Sequence, residues 1–93
     1  MPRVEIYTTP YCPYCHEAKA LLREKKVEFF EIDVSRDREQ RRNMTTRANG
    51  RTTVPQIFIG GTHVGGCDDL YALEDAGKLT ALLGGPGATD PVA

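Results

Sequence analysis

The chain has 93 residues, enough for one domain near the lower end of the size that can bury its own core. It is 40% apolar and 27% charged, an ordinary globular composition. Twelve Lys and Arg against 13 Asp and Glu leave a net charge of −1, which excludes a field strong enough to hold nucleic acid or an anionic membrane nonspecifically.

The opening segment MPRVEIYTTP has no apolar h-region, so neither a signal peptide nor an anchor is expected. No apolar run approaches the ~20 residues of a membrane-spanning helix. A cytoplasmic, monomeric protein in a reducing compartment is the expectation. Three cysteines, an odd number, argue against a secreted disulfide framework and direct attention to reactive or metal-bound thiols.

Val4–Tyr7 alternates apolar and polar residues and reads as a strand, broken by Thr8-Thr9-Pro10. From Pro13 to about Lys25, Ala18, Leu21 and Leu22 recur at i, i+3 and i+4, the pattern of an amphipathic helix. Pro13 suits the first helical position, which leaves Cys12 at the N-cap. Phe29–Val34 reads as a second strand. Ser35 is the expected cap of a polar helix reaching about Arg47, with Met44 its only bulky apolar residue and Asn49-Gly50 as the stop.

Gln56–Ile59, Gly60-Gly61 and Thr62–Gly65 predict a hairpin closed by a two-glycine turn. Asp68 or Asp69 is expected to cap a third helix through Leu70, Leu73 and Ala76, and Lys78–Leu83 adds a last short turn. The Gly/Pro-rich residues 85–93 read as a loose tail on a single domain, 1–84. The order β-α-β-α-β-β-α requires a parallel first pair with a right-handed crossover and an antiparallel closing pair. A small mixed four-stranded α/β sheet with helices on both faces satisfies both.

Cys12-Pro-Tyr-Cys15-His16 fits three chemistries, namely a redox dithiol, half a zinc site and c-type haem attachment. Haem, with Met44 as a distal ligand, needs an exported compartment and a pocket for which so strand-rich a chain has little room. Zinc would take Cys12, Cys15, His63 and Cys67, but this first pair opens a helix and does not form a tight turn. The redox reading has a positive mechanism. A cysteine at a helix N-cap meets free amide hydrogens and the positive end of the dipole, both favouring thiolate. Cysteines so placed titrate at roughly 3.5–7.5. Cys15, one turn inside, has fewer donors and more cover. Cys12 is therefore the expected nucleophile and Cys15 the resolving thiol.

With CPYC at 12–15, RTTVPQIFI at 51–59 and GGCDDLYAL at 65–73, the chain resembles the dithiol glutaredoxins, and within them the small bacterial glutaredoxin-3 type. The resemblance spans about residues 3–83. It implies a thioredoxin-like fold, a cis Val54–Pro55 bond, glutathione as the reducing cosubstrate and no metal. It implies as substrates protein disulfides and glutathionylated proteins, ribonucleotide reductase among them, with glutathione reductase acting indirectly through glutathione. The implied glutathione contacts are Tyr14, Arg51, Thr53, Val54, Pro55, Gly66, Cys67 and Asp68. Val54 would pair its backbone with the cysteine part of glutathione. The α-helix start at Cys67-Asp68 would receive the γ-glutamyl carboxylate, and the Asp68 side chain the ammonium.

Similar proteins commonly carry a lysine three residues before the nucleophile, where this chain has Thr9. Arg51, or Arg47, is the expected substitute partner for the glycine carboxylate. Cys67 is read as a buried filler without a catalytic thiol, His16 and His63 as surface residues, and the remaining arginines between 36 and 51 as a solvated face. A glutathione-ligated iron–sulfur carrier is the alternative reading. Pro13 counts against it, because cluster-binding relatives usually have a smaller or more flexible residue there.

Overall fold

The computed structural model describes residues 2–84; residues 85–93, where the tail was expected, lie outside the described residues. Strand β1 (Val4–Thr8) is the hub of the sheet. It pairs in parallel with β2 (Phe30–Asp33) and antiparallel with β3 (Gln56–Ile59), which pairs antiparallel with β4 (Thr62–Gly65). The resulting order is β2-β1-β3-β4. Between them run helices α1 (Pro13–Glu24), α2 (Arg38–Arg47), α3 (Cys67–Asp75) and a single turn, α4 (Leu79–Leu82). Among the described residues no helix is long and apolar enough to cross a membrane.

The period of two along the strands divides the core between the two faces. Val4, Ile6, Ile57 and Ile59 join Ala18, Leu21 and Leu22 of α1 and Leu70 of α3 in one buried cluster. Tyr7 and Phe58 belong to the other, with Val34 and with Met44 and Ala48 of the α2 segment. The helices therefore cover both faces, as the element order requires. Gly60 and Gly61, at φ 59° and 82°, close the β3–β4 hairpin in a conformation that side chains resist.

Two helix starts differ from expectation. Helix α2 is capped by Asp37, whose Oδ1 accepts from the Gln40 amide at 3.0 Å, and not by Ser35. The Ser35 amide instead donates to Asp33 Oδ1 at 2.8 Å, a local turn that holds the chain out of helix for two more residues. Helix α3 is capped by Gly66, ahead of both Asp68 and Asp69. Asp69, at the third helical position, reaches back to the Gly66 amide at 2.9 Å and satisfies it from inside the helix.

Arg47 also departs from its expected role. Its guanidinium donates to Glu5 at 2.9 and 3.3 Å and to Tyr7 Oη at 2.9 Å, and stacks 4.1 Å over the Phe58 ring. It is thus a structural clamp between α2 and the sheet, engaged away from any ligand carboxylate. Hydrogen bonding from Arg47 holds Glu5 below the ordinary carboxylate range, although burial opposes it. Arg47→Met should lower stability at pH 7 by about 1–3 kcal/mol, because a half-buried carboxylate loses its partner. A depressed carboxyl stabilises above its unfolded pKa, 4.5 here, and that stabilisation fades as pH falls through the folded value. The gap in urea midpoint between Arg47→Met and the parent should therefore narrow below pH 4.5; a constant gap refutes this account.

Candidate active site

Strand β1 runs out at Thr8, and the chain turns through Thr9–Tyr11 before α1 begins. Cys12 stands at the N-cap with extended backbone angles, and its Sγ accepts the Cys15 amide hydrogen at 3.2 Å. Pro13 follows at the first helical position, where no amide hydrogen is required. Across the sheet end, the Val54 carbonyl lies 3.7 Å from Cys12 Sγ, and the Val54–Pro55 bond is cis. Cys12 is thus partly exposed between the start of a helix and the segment leading into β3.

Cys15 is a different thiol. Its exposure is 0%, and burial, followed by hydrogen bonding with Cys12, pushes it up to about 12. Cys67 is buried too, and burial together with the nearby Glu17 and Asp68 raises its thiol.

Tyr14, Arg51, Thr53, Val54, Pro55, Gly66, Cys67 and Asp68 line one groove of about 280 Å³, beside Val54 and therefore beside Cys12. They come from three segments, the first turn of α1, the loop before β3 and the start of α3. Tyr14, 59% exposed, forms one wall. Asp69 joins the lining, with its Oδ2 3.1 Å from Arg51 Nη1. The Gly66 amide, and after it Arg51, hold Asp69 below the ordinary carboxylate range despite burial. Gly65, at φ 119°, passes so close to Asp69 and Arg51 that a Cβ would lie 2.8 Å from Arg51 Nη1. Glycine there lets the ion pair lie against the backbone.

His63 is not the plain surface residue that its strand position suggests. Its ring stacks on Phe58 at 5.0 Å, and Nε2 lies 2.7 Å from Gln56 Oε1. The Gln56 amide nitrogen then donates to the Thr53 carbonyl at 3.0 Å and to its hydroxyl at 3.3 Å. Acceptance by Gln56 Oε1 fixes the His63 tautomer as Nε2–H, and burial and Arg51 hold the ring below its usual pKa. Gln56 and His63 thereby brace the Thr53–Pro55 segment from behind. The sequence reading missed both; hairpin register, which pairs Phe58 with His63, was the available signal. Among the described residues no group of three His, Cys, Asp or Glu is placed together as metal ligands. His16 is exposed, as expected, with Nε2 3.0 Å from the Pro10 carbonyl.

A partly exposed helix-capping thiol, a buried second thiol one turn on and a facing cis-proline segment on a four-stranded mixed sheet define a dithiol oxidoreductase of thioredoxin-like fold. The glutaredoxin family model matches residues 4–64. A glutaredoxin of Pseudomonas aeruginosa is 61% identical over 83 residues, covering 89% of this chain and 98% of the relative. The solution structure of the Brucella melitensis glutaredoxin superposes with a TM-score of 0.79 at 64% identity, covering 89% of each chain. The crystal structure of a buckwheat glutaredoxin–glutathione complex gives 0.79 at 28% identity, over 88% of this chain and 76% of that one. The chain belongs to the glutaredoxin family, and its activity is thiol–disulfide oxidoreduction.

Proposed function

We propose that the protein reduces protein–glutathione mixed disulfides and protein disulfides with glutathione as electron donor, Cys12 attacking and Cys15 resolving. The observation that carries this reading is the groove beside Cys12, whose lining holds a cation, Arg51, as well as the carboxylates Asp68 and Asp69. Glutathione has a carboxylate at one end and a carboxylate with an ammonium at the other. Arg51 would take the glycine carboxylate, in the role that Thr9 cannot fill, and would share its guanidinium with Asp69. The first amides of α3 would take the γ-glutamyl carboxylate, and Asp68 the ammonium. The Val54 backbone would pair with the cysteine part, and Tyr14, Thr53, Pro55, Gly66 and Cys67 would complete the walls. That the buckwheat relative forms a complex with glutathione supports glutathione as the ligand.

In deglutathionylation, Cys12 thiolate attacks the glutathione sulfur of the mixed disulfide and the protein thiolate leaves. A second glutathione thiolate then attacks the Cys12–glutathione disulfide and releases oxidised glutathione. In the dithiol route, Cys12 first forms a mixed disulfide with the protein substrate. Cys15 displaces that substrate as a thiolate, and two glutathiones reduce the Cys12–Cys15 bond. Glutathionylated proteins and ribonucleotide reductase are the proposed substrates. The proposed setting is a monomer in the cytoplasm, where glutathione reductase regenerates the donor.

The test is turnover of a glutathionylated peptide with glutathione or with a thioredoxin-reductase system as the sole reductant. Glutathione should support turnover; turnover with the reductase system alone overturns the assignment. Asp68→Ala should raise the KM for glutathione roughly three- to tenfold, about 0.7–1.4 kcal/mol, with kcat unchanged. An unchanged KM removes Asp68 from the site.

A further inference from the structure

Beyond the groove, the molecule's strongest charge asymmetry lies on and beside α2. Residues 36–51 hold six arginines and two acids, a charge of +4, whereas the rest of the chain holds six cations and eleven carboxylates, −5. Arg47 and Arg51 are tied into ion pairs within the fold. The other four, Arg36, Arg38, Arg41 and Arg42, line one surface groove of about 550 Å³. Positions 38, 41, 42 and 45 follow the i, i+3, i+4, i+7 rule, so three of these arginines share one helix face. Asp37, which also lines this groove, offsets one of the four arginines and leaves them in excess by three, and Glu39 is not in the lining.

This stripe is continuous with the rim of Cys12 on two sides. Arg36, with Ser35 and Asp37, also lines a neighbouring depression formed with Thr9, Pro10 and Tyr11. Tyr11, the residue before Cys12, is 93% exposed. On the other side, Arg41 Nη2 donates to the Thr52 carbonyl at 2.8 Å, joining the stripe to the segment that faces Cys12. A large apolar residue standing free beside a reactive thiol, flanked by guanidinium groups that form no ion pair among the described residues, is the make-up of a protein-docking rim.

We infer that the Arg36–Arg42 face, with Tyr11, docks protein substrates whose reactive sulfur lies in an acidic segment. The inference rests on Cys12 as the attacking thiol and is independent of which reductant completes the cycle. In the step concerned, Cys12 thiolate attacks the substrate disulfide, a new Cys12–substrate S–S bond forms, and the displaced sulfur leaves as thiolate. The arginines touch no reacting atom. They raise the encounter rate by attraction, which salt screens over about 8–10 Å.

Two peptides test this, each with one cysteine held in a mixed disulfide to a chromogenic thiol, flanked by four Glu in one and four Gln in the other. Single-turnover release of the chromophore by the reduced full-length protein reads the attack without glutathione. Each rate is divided by that of a small neutral thiol on the same peptide. The Glu peptide should react about tenfold faster in low salt and less than about twofold faster near 0.5 M salt. R36Q/R38Q/R42Q should lose this preference, R36K/R38K/R42K should keep it, and the Gln peptide should react alike with all three proteins. Equal rates for the two peptides in low salt, or a preference surviving in the Gln variant, overturn the docking surface. No release from either peptide removes Cys12 as the attacking thiol, and the inference with it.

Discussion

Replacing Cys12 with serine will stop turnover of every disulfide substrate, with a loss of at least about 10³-fold, or roughly 4 kcal/mol of barrier. Serine fits the position structurally, since it is a favoured N-cap and can accept the amide hydrogen that Cys12 Sγ now takes from Cys15. The thermal midpoint should therefore stay close to that of the parent. What disappears is the sulfur. A serine hydroxyl is un-ionised at neutral pH and cannot form the mixed disulfide through which exchange proceeds. Fold intact with activity lost is the expected pair of results, measured by circular dichroism and by turnover of a glutathionylated peptide. Residual turnover within tenfold of the parent would sink the assignment.

Cys15→Ser should divide the two activities. Deglutathionylation should persist within about threefold of the parent, because a free glutathione can reach the Cys12 adduct from solution. Reduction of a protein disulfide should fall by about 10²-fold or more, since Cys15 attacks as an intramolecular neighbour, with the advantage of effective concentration that proximity brings. Its amide already contacts Cys12 Sγ, so the two sulfurs are held on one turn of helix. The high pKa, about 12, makes Cys15 a thiol until it attacks, and its proton goes with the departing substrate thiolate. Trapped substrate–Cys12 disulfide on a nonreducing gel is the direct sign; undiminished disulfide reduction without that adduct refutes the role of Cys15.

Much of the fold was legible because its signals are local and periodic. The strand at Val4, the helix from Pro13 and the two-glycine hairpin each rest on a few adjacent residues. The helix starts were less legible because caps compete. Ser35, Asp37, Asp68 and Asp69 are all acceptable types, and the winner depended on the turn at Asp33 and on the reach of Asp69 back to Gly66. The groove residues were legible as three short blocks, yet their convergence is a tertiary fact. Arg47 and Arg51 show the limit most clearly. Four residues apart and equally basic, they looked interchangeable, but one faces Glu5 and Phe58 across the sheet and the other reaches the groove. His63 and Gln56 were missed for the same reason, since their bond joins neighbouring strands.

The complete burial of Cys15 has a temporal consequence. With Cys12 attacking and Cys15 resolving as proposed, no substrate meets that sulfur directly; it becomes relevant only once Cys12 has already captured something. Each captured partner then sits under a clock, because release by Cys15 is always available, whatever the partner. A partner that a free glutathione can detach quickly leaves by one exit, and a slower one leaves by the other. The hidden thiol therefore sets the longest time for which the protein can remain joined to any substrate.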